Sequence, residues 1–398
     1  MMPSICIYFQ VHQPVRLRRF SIFEQRQPEN LFERYFDVKL NREVFNKVAD
    51  KCYLPTNSLL LELIKKYGEK FKISYSLTGT FLEQATQYRP EVLDSFHALA
   101  ETGSVDFLNE TYYHSLSSLF EDKTEFVEQV RKHSEELKER FGVEADVFRN
   151  TEALFSNDIA RLAEEFGYKG IIGEGHERVL GWRSPNYVYS VKGCKKIKAL
   201  LRNYKLSDDV SYRFSAQWWS EFPLTADKYA KWLASSQGQC INLFMDYETF
   251  GEHQWKETGI FEFLRQFPEE AMKYGNLNFR TPDDVIREQQ PVGEIDVPYA
   301  LSWADIERDA SAWLGNAMQR ECFSLLQSLE TPVREARDEE MLHIWRLLQN
   351  SDHLYYLCTK SWADGDVHKY FSPFPSPYDG FINLMNILQD FKKQVERA

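Results

Sequence analysis

Residues 243–251 read Leu-Phe-Met-Asp-Tyr-Glu-Thr-Phe-Gly. With Ile241 before it, this is an apolar run too short for a stable helix, and it breaks off in two carboxylates, Asp246 and Glu248. Such a run predicts a buried strand that delivers an acid at its exit into a loop. The same form recurs outward along the chain at Ile5 to Val11, Phe71 to Leu77, Val105 to Leu108, Val147 to Arg149, Gly170 to Gly173 and Ile197 to Arg202. Between these runs lie amphipathic patterns such as Thr56 to Tyr67 and Lys123 to Phe141, whose apolar residues recur at helical spacing. Seven strands alternating with helices predict an α/β fold, a seven-stranded (β/α) barrel over residues 1–285.

Past the prolines 282, 291 and 298 the pattern changes. Residues 304–357 carry long helical periodicity, and a further helix is expected over Tyr378 to Val395 after Pro373, Pro375 and Pro377. Residues 286–398 are therefore expected to form a C-terminal helical region packed on the barrel and contributing to its cleft. The aromatic stretch Asp364 to Pro377 is read as a loop, and Ser-Trp-Ala-Asp, found at 302–305, recurs at 361–364.

Composition narrows the function classes. The 398 residues include 60 acidic against 48 basic side chains, a formal charge of -12, which repels nucleic-acid phosphate. No stretch approaches the roughly 20 apolar residues of a membrane helix, and the run after Ile5 has no basic leader. Six cysteines without a CxxC pair fit a reduced, cytoplasmic protein. The 29 Phe, 21 Tyr and 9 Trp are rich for a core of this size, and flat faces with a polar tip suit sugar rings. Nucleic acid and membrane are thus excluded as partners, with oligomeric state left open.

The chemistry gathers where the runs end. His12 follows the first, Asn109 and Glu110 the third, Arg149, Asn150 and Glu152 the fourth, Glu174 and His176 the fifth, Asn203 the sixth, and Asp246 with Glu248 the seventh. In a parallel barrel these positions share one rim, where such enzymes build their sites; the alternative is that strands end where solvated loops begin. Glu152 stands three residues after Arg149, which can hold it ionised as a nucleophile. Asp246 follows large apolar residues, whose desolvation raises a carboxyl pKa toward that of a general acid. Two carboxyl groups so contrasted suit glycosidic cleavage by double displacement. A metal centre built from His12, His114, His176, His253 and Asp246 is the competing reading, but no HxxxH or HExxH spacing pre-places its ligands, and no cofactor is expected.

Several of these segments together resemble the signature regions of glycoside hydrolase family 57: His12-Gln13-Pro14, Gly103 to His114, Phe148 to Glu152, Met245 to His253, and Leu301 to Asp305 with Glu307 to Asp309. The likeness runs in order through nearly the whole chain and is greatest to the family's α-amylase-like members. It implies a seven-stranded barrel with a helical region, an α-glucan substrate, and retention of configuration. Glu152 then matches the nucleophile and Asp246 the general acid/base, with their carboxyl groups about 5 to 5.5 Å apart. His12 matches a residue lining the subsite of the attacked sugar, and His253 stands where several relatives carry Trp. Asn109, His114, Arg149, His253 and Trp303 are the further substrate-binding candidates. Asn109 and His114 have helix capping as their alternative, Arg149 a strand-end charge, and Trp303 packing at a junction. Trp218, Trp219 and Trp255 are candidates for stacking or for anchoring loops. An α-1,4-acting amylase is the expected activity. Glucan transfer or branching by the same carboxylate pair, a metal-dependent deacetylase, and a non-catalytic glycan-binding protein are the alternatives.

Overall fold

The computed structural model describes residues 3–23, 30–275 and 277–398; the side chains of Trp362 and Ala363, within the Ser361–Asp364 recurrence, lie outside the described residues. Among the described residues ten strands follow in chain order: β1 (Ser4–Val11), β2 (Ile73–Leu77), β3 (Val105–Phe107), β4 (Val147–Arg149), β5 (Gly170–Glu174), β6 (Val188–Val191), β7 (Lys198–Arg202), β8 (Cys240–Asp246), β9 (Asn278–Phe279) and β10 (Glu294–Ile295). All seven sequence-derived runs are strands. The addition is β6, which pairs antiparallel with β7, and the two-residue β9 and β10, too short to leave a hydrophobic pattern.

β1 is buried along its whole length, as a central parallel strand with two covered faces must be. It pairs in parallel with β2 on one side and β8 on the other, in a register that sets Gln10 beside Asp246. β3 follows on β2, and β9 touches the start of β1. The second sheet runs β10-β6-β7-β5-β4. Asn109, just past β3, joins the sheets through two backbone hydrogen bonds, its N–H to the Val147 carbonyl at 3.1 Å and its carbonyl to the Arg149 N–H at 2.8 Å. Opposite, the Asn203 N–H donates to the Asn242 carbonyl at 2.9 Å and the Asn242 side-chain amide donates to the Leu201 carbonyl at 2.8 Å, so β7 and β8 are also tied.

Between the sheets, Cys6, Tyr8, Leu108, Val147, Ile172, Leu200 and Phe244 form one buried cluster closed off by Val285 and Ile286. Outside it, Phe9, Tyr75, Phe96 and Tyr247 pack under the helices Leu54–Tyr67 and Pro90–Ala100. Phe148, Ile171 and Leu201 instead share a core with Leu326, Trp345, Leu348 and Leu388 of the C-terminal helices.

The helical periodicity of 304–357 resolves into five helices, Ser311–Leu314, Ala317–Ser328, Glu330–Ala336, Glu339–Leu348 and Ser351–Tyr355. Caps divide it: Asn316, Asp338 and Asn350 each accept a backbone N–H from a new first turn, worth about 1 kcal/mol per cap. The stretch from Asp364 is not the expected loop, because Trp362–Phe371 is helical. Ser376 and Pro377 start the last helix, Pro377–Val395, one residue from its expected beginning. Among the described residues no helix is long and apolar enough to cross a membrane.

Candidate active site

Because β1, β3, β4, β5, β7 and β8 share a direction, the residues past their ends meet at one side of the molecule. Glu152 follows β4 in a one-turn 3-10 helix, Thr151–Ala153, where Glu152 and Ala153 both take left-handed backbone angles, φ 57° and 50°. Non-glycine residues adopt that conformation at a cost and keep it only where surrounding contacts hold it, often at functional positions. Here the contacts are explicit. Glu152 Oε2 accepts the Trp303 indole N–H at 2.9 Å, and Oε1 accepts the Ser351 hydroxyl at 3.1 Å and lies 3.2 Å from His114 Nε2. The Glu152 carbonyl accepts from the Ser302 hydroxyl at 3.0 Å.

His114 stands between two acids, with Nδ1 at 3.2 Å from Glu110 Oε2 and Nε2 toward Glu152. Burial alone lowers its pKa, but the two carboxylates outweigh burial and push it up to about 9, so both ring nitrogens donate at neutral pH. Glu110 is fully buried and also accepts from Gln10 Nε2 at 3.0 Å and from the Ser76 hydroxyl. Burial raises its pKa, while His114, Arg149 and His133 more than offset that and bring it to about 2. Glu152 obeys the same balance: burial raises its pKa, and the His114 hydrogen bond and charge, with Arg149, carry it below the usual carboxylate range.

Asp246, half-buried at the end of β8, has the opposite surroundings. Its side chain has no hydrogen-bond partner among the described residues. Burial, then the negative charge of Glu152, raises its pKa to about 6, against the lowering by Arg149, His114 and Arg202. Glu248, two residues on, accepts from the Tyr53 hydroxyl at 2.5 Å and is pushed up to about 8, by burial first and by Asp246 second.

Arg149 is fully buried, and its three guanidinium nitrogens have no hydrogen-bond partner among the described residues. It lies 4.8 Å from the Trp303 ring centroid, with Nη1 3.7 Å from Glu110 Oε2. Arg149, expected to hold Glu152 ionised, acts on it through charge, while His114, Trp303 and Ser351 supply the hydrogen bonds. Trp303 lies between Arg149 and Arg202, whose guanidinium carbon is 5.8 Å from the ring centroid. Arg202 is in turn fixed by Glu174 at 3.1 Å. Trp303, posed as a substrate-binding or a packing residue, packs between these guanidinium groups and in addition donates its indole N–H to Glu152.

His12 is stacked on His114 with centroids 3.9 Å apart, and its ring nitrogens face the Thr78 hydroxyl at 2.9 Å and Asp352 Oδ2 at 3.0 Å. Burial and then the charge of His114 lower its pKa, so a neutral ring lies on a protonated one. His253 is not brought to this group. It lies against Phe371 at 5.6 Å and makes no hydrogen bond to Glu152 or Asp246 among the described residues. Asn109 requires a correction too. It is fully buried and its amide is used up within the scaffold: it donates to the Val130 carbonyl at 3.2 Å and to the Tyr168 hydroxyl, while its oxygen faces His133 Nδ1 and accepts the Glu110 N–H at 2.8 Å. No amide donor or acceptor is left to reach a sugar hydroxyl. Trp218 and Trp255 are largely exposed, whereas Trp219 packs on Trp232.

Ser351 and Asp352 were not expected at the site, and Glu110, named at a strand end, had been given no role. Glu110 and His114 do stand at i, i+4, a spacing that places two side chains near one another in any tight turn. Gln349-Asn350-Ser351-Asp352-His353 is a run of five polar residues cutting into an apolar helical pattern, and four of the five are buried. A polar run kept out of water needs partners, and that was the available signal.

These strand-end carboxylates in contrasted environments are set in an α/β scaffold with a helical C-terminal part. A family model described as glycosyl hydrolase family 57 matches residues 6–298. A Methanocaldococcus jannaschii protein described as "Putative alpha-amylase" is 50% identical over 403 residues, covering 98% of this chain and 85% of that protein. "Alpha-amylase 1" of Dictyoglomus thermophilum is 21% identical over 72% of this chain, which spans only 41% of that relative's length. Among solved structures, a branching enzyme of Thermococcus kodakaraensis superposes with TM-score 0.72 at 13% identity, covering 99% of this chain and 90% of that one. The 4-alpha-glucanotransferase of Thermococcus litoralis gives TM-score 0.71 at 14% identity over 98% of this chain and 60% of its own. This chain belongs to glycosyl hydrolase family 57, and it is an enzyme.

Proposed function

We propose that this enzyme is a retaining α-glucan hydrolase of the amylase type, acting on α-1,4 bonds, with Glu152 as nucleophile and Asp246 as general acid/base. The observation that carries the reading is the contrast between the two groups. Glu152 holds its charge through three hydrogen-bonding side chains, whereas Asp246, desolvated and facing that charge, has its pKa raised to about 6 and is without a side-chain partner. In the first step Glu152 bonds to the anomeric carbon while Asp246 gives its proton to the departing glycosidic oxygen. In the second, Asp246 takes a proton from water as that water displaces Glu152, so the sugar leaves with its configuration retained. His12 and Trp303 are the proposed walls of the subsite for the attacked sugar.

The scaffold we infer is a closed (β/α) barrel of β1, β2, β3, β4, β5, β7 and β8. The Asn109 junction, the Asn203–Asn242 junction and the cluster of inward side chains support closure. Residues 286–398 are proposed as the helical region completing the cleft, since Ser351, Asp352 and Trp303 all come from it. Six free cysteines accord with a reducing, cytoplasmic setting.

A covalent intermediate yields equally to water or to a sugar hydroxyl, so the same pair serves transfer. Incubation with maltoheptaose, followed by chromatography of the products, tests the reading: shorter maltooligosaccharides alone, released first as the α-anomer, are expected. Products longer than the input would replace hydrolysis by transfer, and an unchanged substrate would overturn the proposal.

A further inference from the structure

The loop that follows Trp303 meets the C-terminal helices at a second cluster, in which Asp305, Cys358 and His368 each turn a ligand atom toward the others, all within 4.8 Å. The three come from separate parts of the chain: the 303–309 loop, the segment after Ser351–Tyr355, and the helix Trp362–Phe371. Cys358 and His368 are buried, and the Asp305 side chain is 4% exposed. None of them touches Glu152 or Asp246 among the described contacts.

Three features go beyond proximity. His368 Nδ1 lies 3.1 Å from the Tyr355 carbonyl, which makes Nδ1 the N–H donor and turns Nε2, the usual metal-binding nitrogen of a ring oriented in this way, toward Asp305. Nε2 is 3.2 and 3.1 Å from the two Asp305 oxygens, close to the ~3.3 Å that separates two N/O ligands held at about 2.0–2.1 Å by a tetrahedral ion. The surrounding charge is also negative: among the described residues Asp305, Glu307 and Asp364 converge, answered by Lys360, 2.7 Å from Asp305 Oδ2 and 2.6 Å from Glu307, and by the His368 ring. Asp305 itself is held in a left-handed conformation, φ 54°, so its direction is imposed by the loop.

We infer that Asp305, Cys358 and His368 form a binding site for a transition-metal divalent cation of the zinc class. One thiolate, one imidazole and one carboxylate are a donor set that favours zinc over magnesium or calcium, which prefer oxygen ligands alone. Lys360 then acts from outside, keeping Asp305 Oδ2 engaged while the ligand atoms face inward. The ion would clamp the loop carrying Trp303 to the C-terminal helices. The inference does not rest on the glucan-hydrolase reading.

The test is anaerobic titration of chelator-treated full-length protein with Co2+ as a spectroscopic stand-in for zinc. A thiolate-to-cobalt charge-transfer band saturating near one equivalent, and bleached by added Zn2+, is expected. Cys358→Ser should abolish the band while circular dichroism shows the protein folded. His368→Ala and Asp305→Asn should weaken Co2+ binding at least about tenfold, since even the loss of an outer-shell partner costs 10- to 100-fold. Absence of a band in the wild type at millimolar Co2+ would overturn the inference without recourse to any variant. So would a band that persists in Cys358→Ser, because the remaining cysteines are not among these ligands.

Discussion

The ends of β4 and β8 solve opposite problems with the same functional group. On the β4 side, Glu152 is surrounded by donors from three different segments and keeps its charge although it is removed from water. On the β8 side, Asp246 is given dryness and a facing negative charge, and it retains its proton up to about pH 6. Burial raises both pKa values. Hydrogen bonds to the charged form decide which carboxylate escapes that effect, and on the proposed mechanism the outcome divides the roles of nucleophile and general acid/base.

The sharpest way to break this contrast is to remove either member. Glu152→Gln should reduce turnover beyond the 10²–10⁴-fold typical of losing a general acid or base, and Asp246→Asn should fall within that range, as read by initial rates on maltooligosaccharides with an activated-leaving-group glucoside alongside. In Glu152→Gln the Coulomb push on Asp246 disappears, so its pKa should drop below about 6, a shift that carboxyl NMR titration would detect. An unmoved Asp246 would mean that the two groups do not face each other.

Next in size is His114→Ala. It removes the cation between Glu110 and Glu152 and leaves two buried acids uncompensated, so activity should fall by about 10²-fold or more and the melting temperature should drop, with each change followed separately. Trp303→Phe deletes one hydrogen bond to an ionised group, worth about 1.5–3 kcal/mol, or roughly 10- to 150-fold in kcat/KM if the bond persists in the transition state. Its pH signature is directional. Loss of the donor raises the Glu152 pKa, so the acid limb of the kcat/KM profile moves to higher pH. The alkaline limb, which follows deprotonation of Asp246, should stay near pH 6. A profile whose alkaline limb moves equally would dissociate Trp303 from Glu152.

The smallest effect on catalysis is expected at Asn109. Asn109→Ala leaves buried partners of the β3–β4 junction unpaired and should cost about 1–3 kcal/mol of stability in denaturant unfolding, with KM little changed. A large KM effect at constant stability would restore it as a sugar ligand.

Much of the scaffold was legible because buried strands leave short, mostly apolar runs; all seven such runs are strands, although β3 carries Asp106 and is half-buried. β6, pairing antiparallel in a half-polar setting, and the two-residue β9 and β10 carry no such mark. In the site, the sequence pointed to Glu152 and Asp246 by what precedes them, an arginine and an apolar strand. It did not show that Asn109, whose place at a strand end looked the same as that of a ligand, spends its amide within the scaffold, or that the buried Arg149 guanidinium acts on Glu152 by charge alone. Residues adjacent in sequence were overweighted, and those contributed from 200 positions away were missed.

What the residue order determines by itself is local: which segments are strands, where helices are capped, and which strand ends carry acids, because periodicity and capping act within a few residues. Only the tertiary structure decides that Ser351 and Trp303 reach Glu152, that Asp352 reaches His12, and that Asp246 has no hydrogen-bonding side chain beside it among the described residues. Those outcomes depend on distance and desolvation between segments hundreds of residues apart, and a carboxylate's charge state is set by the dielectric and the donors around it in space.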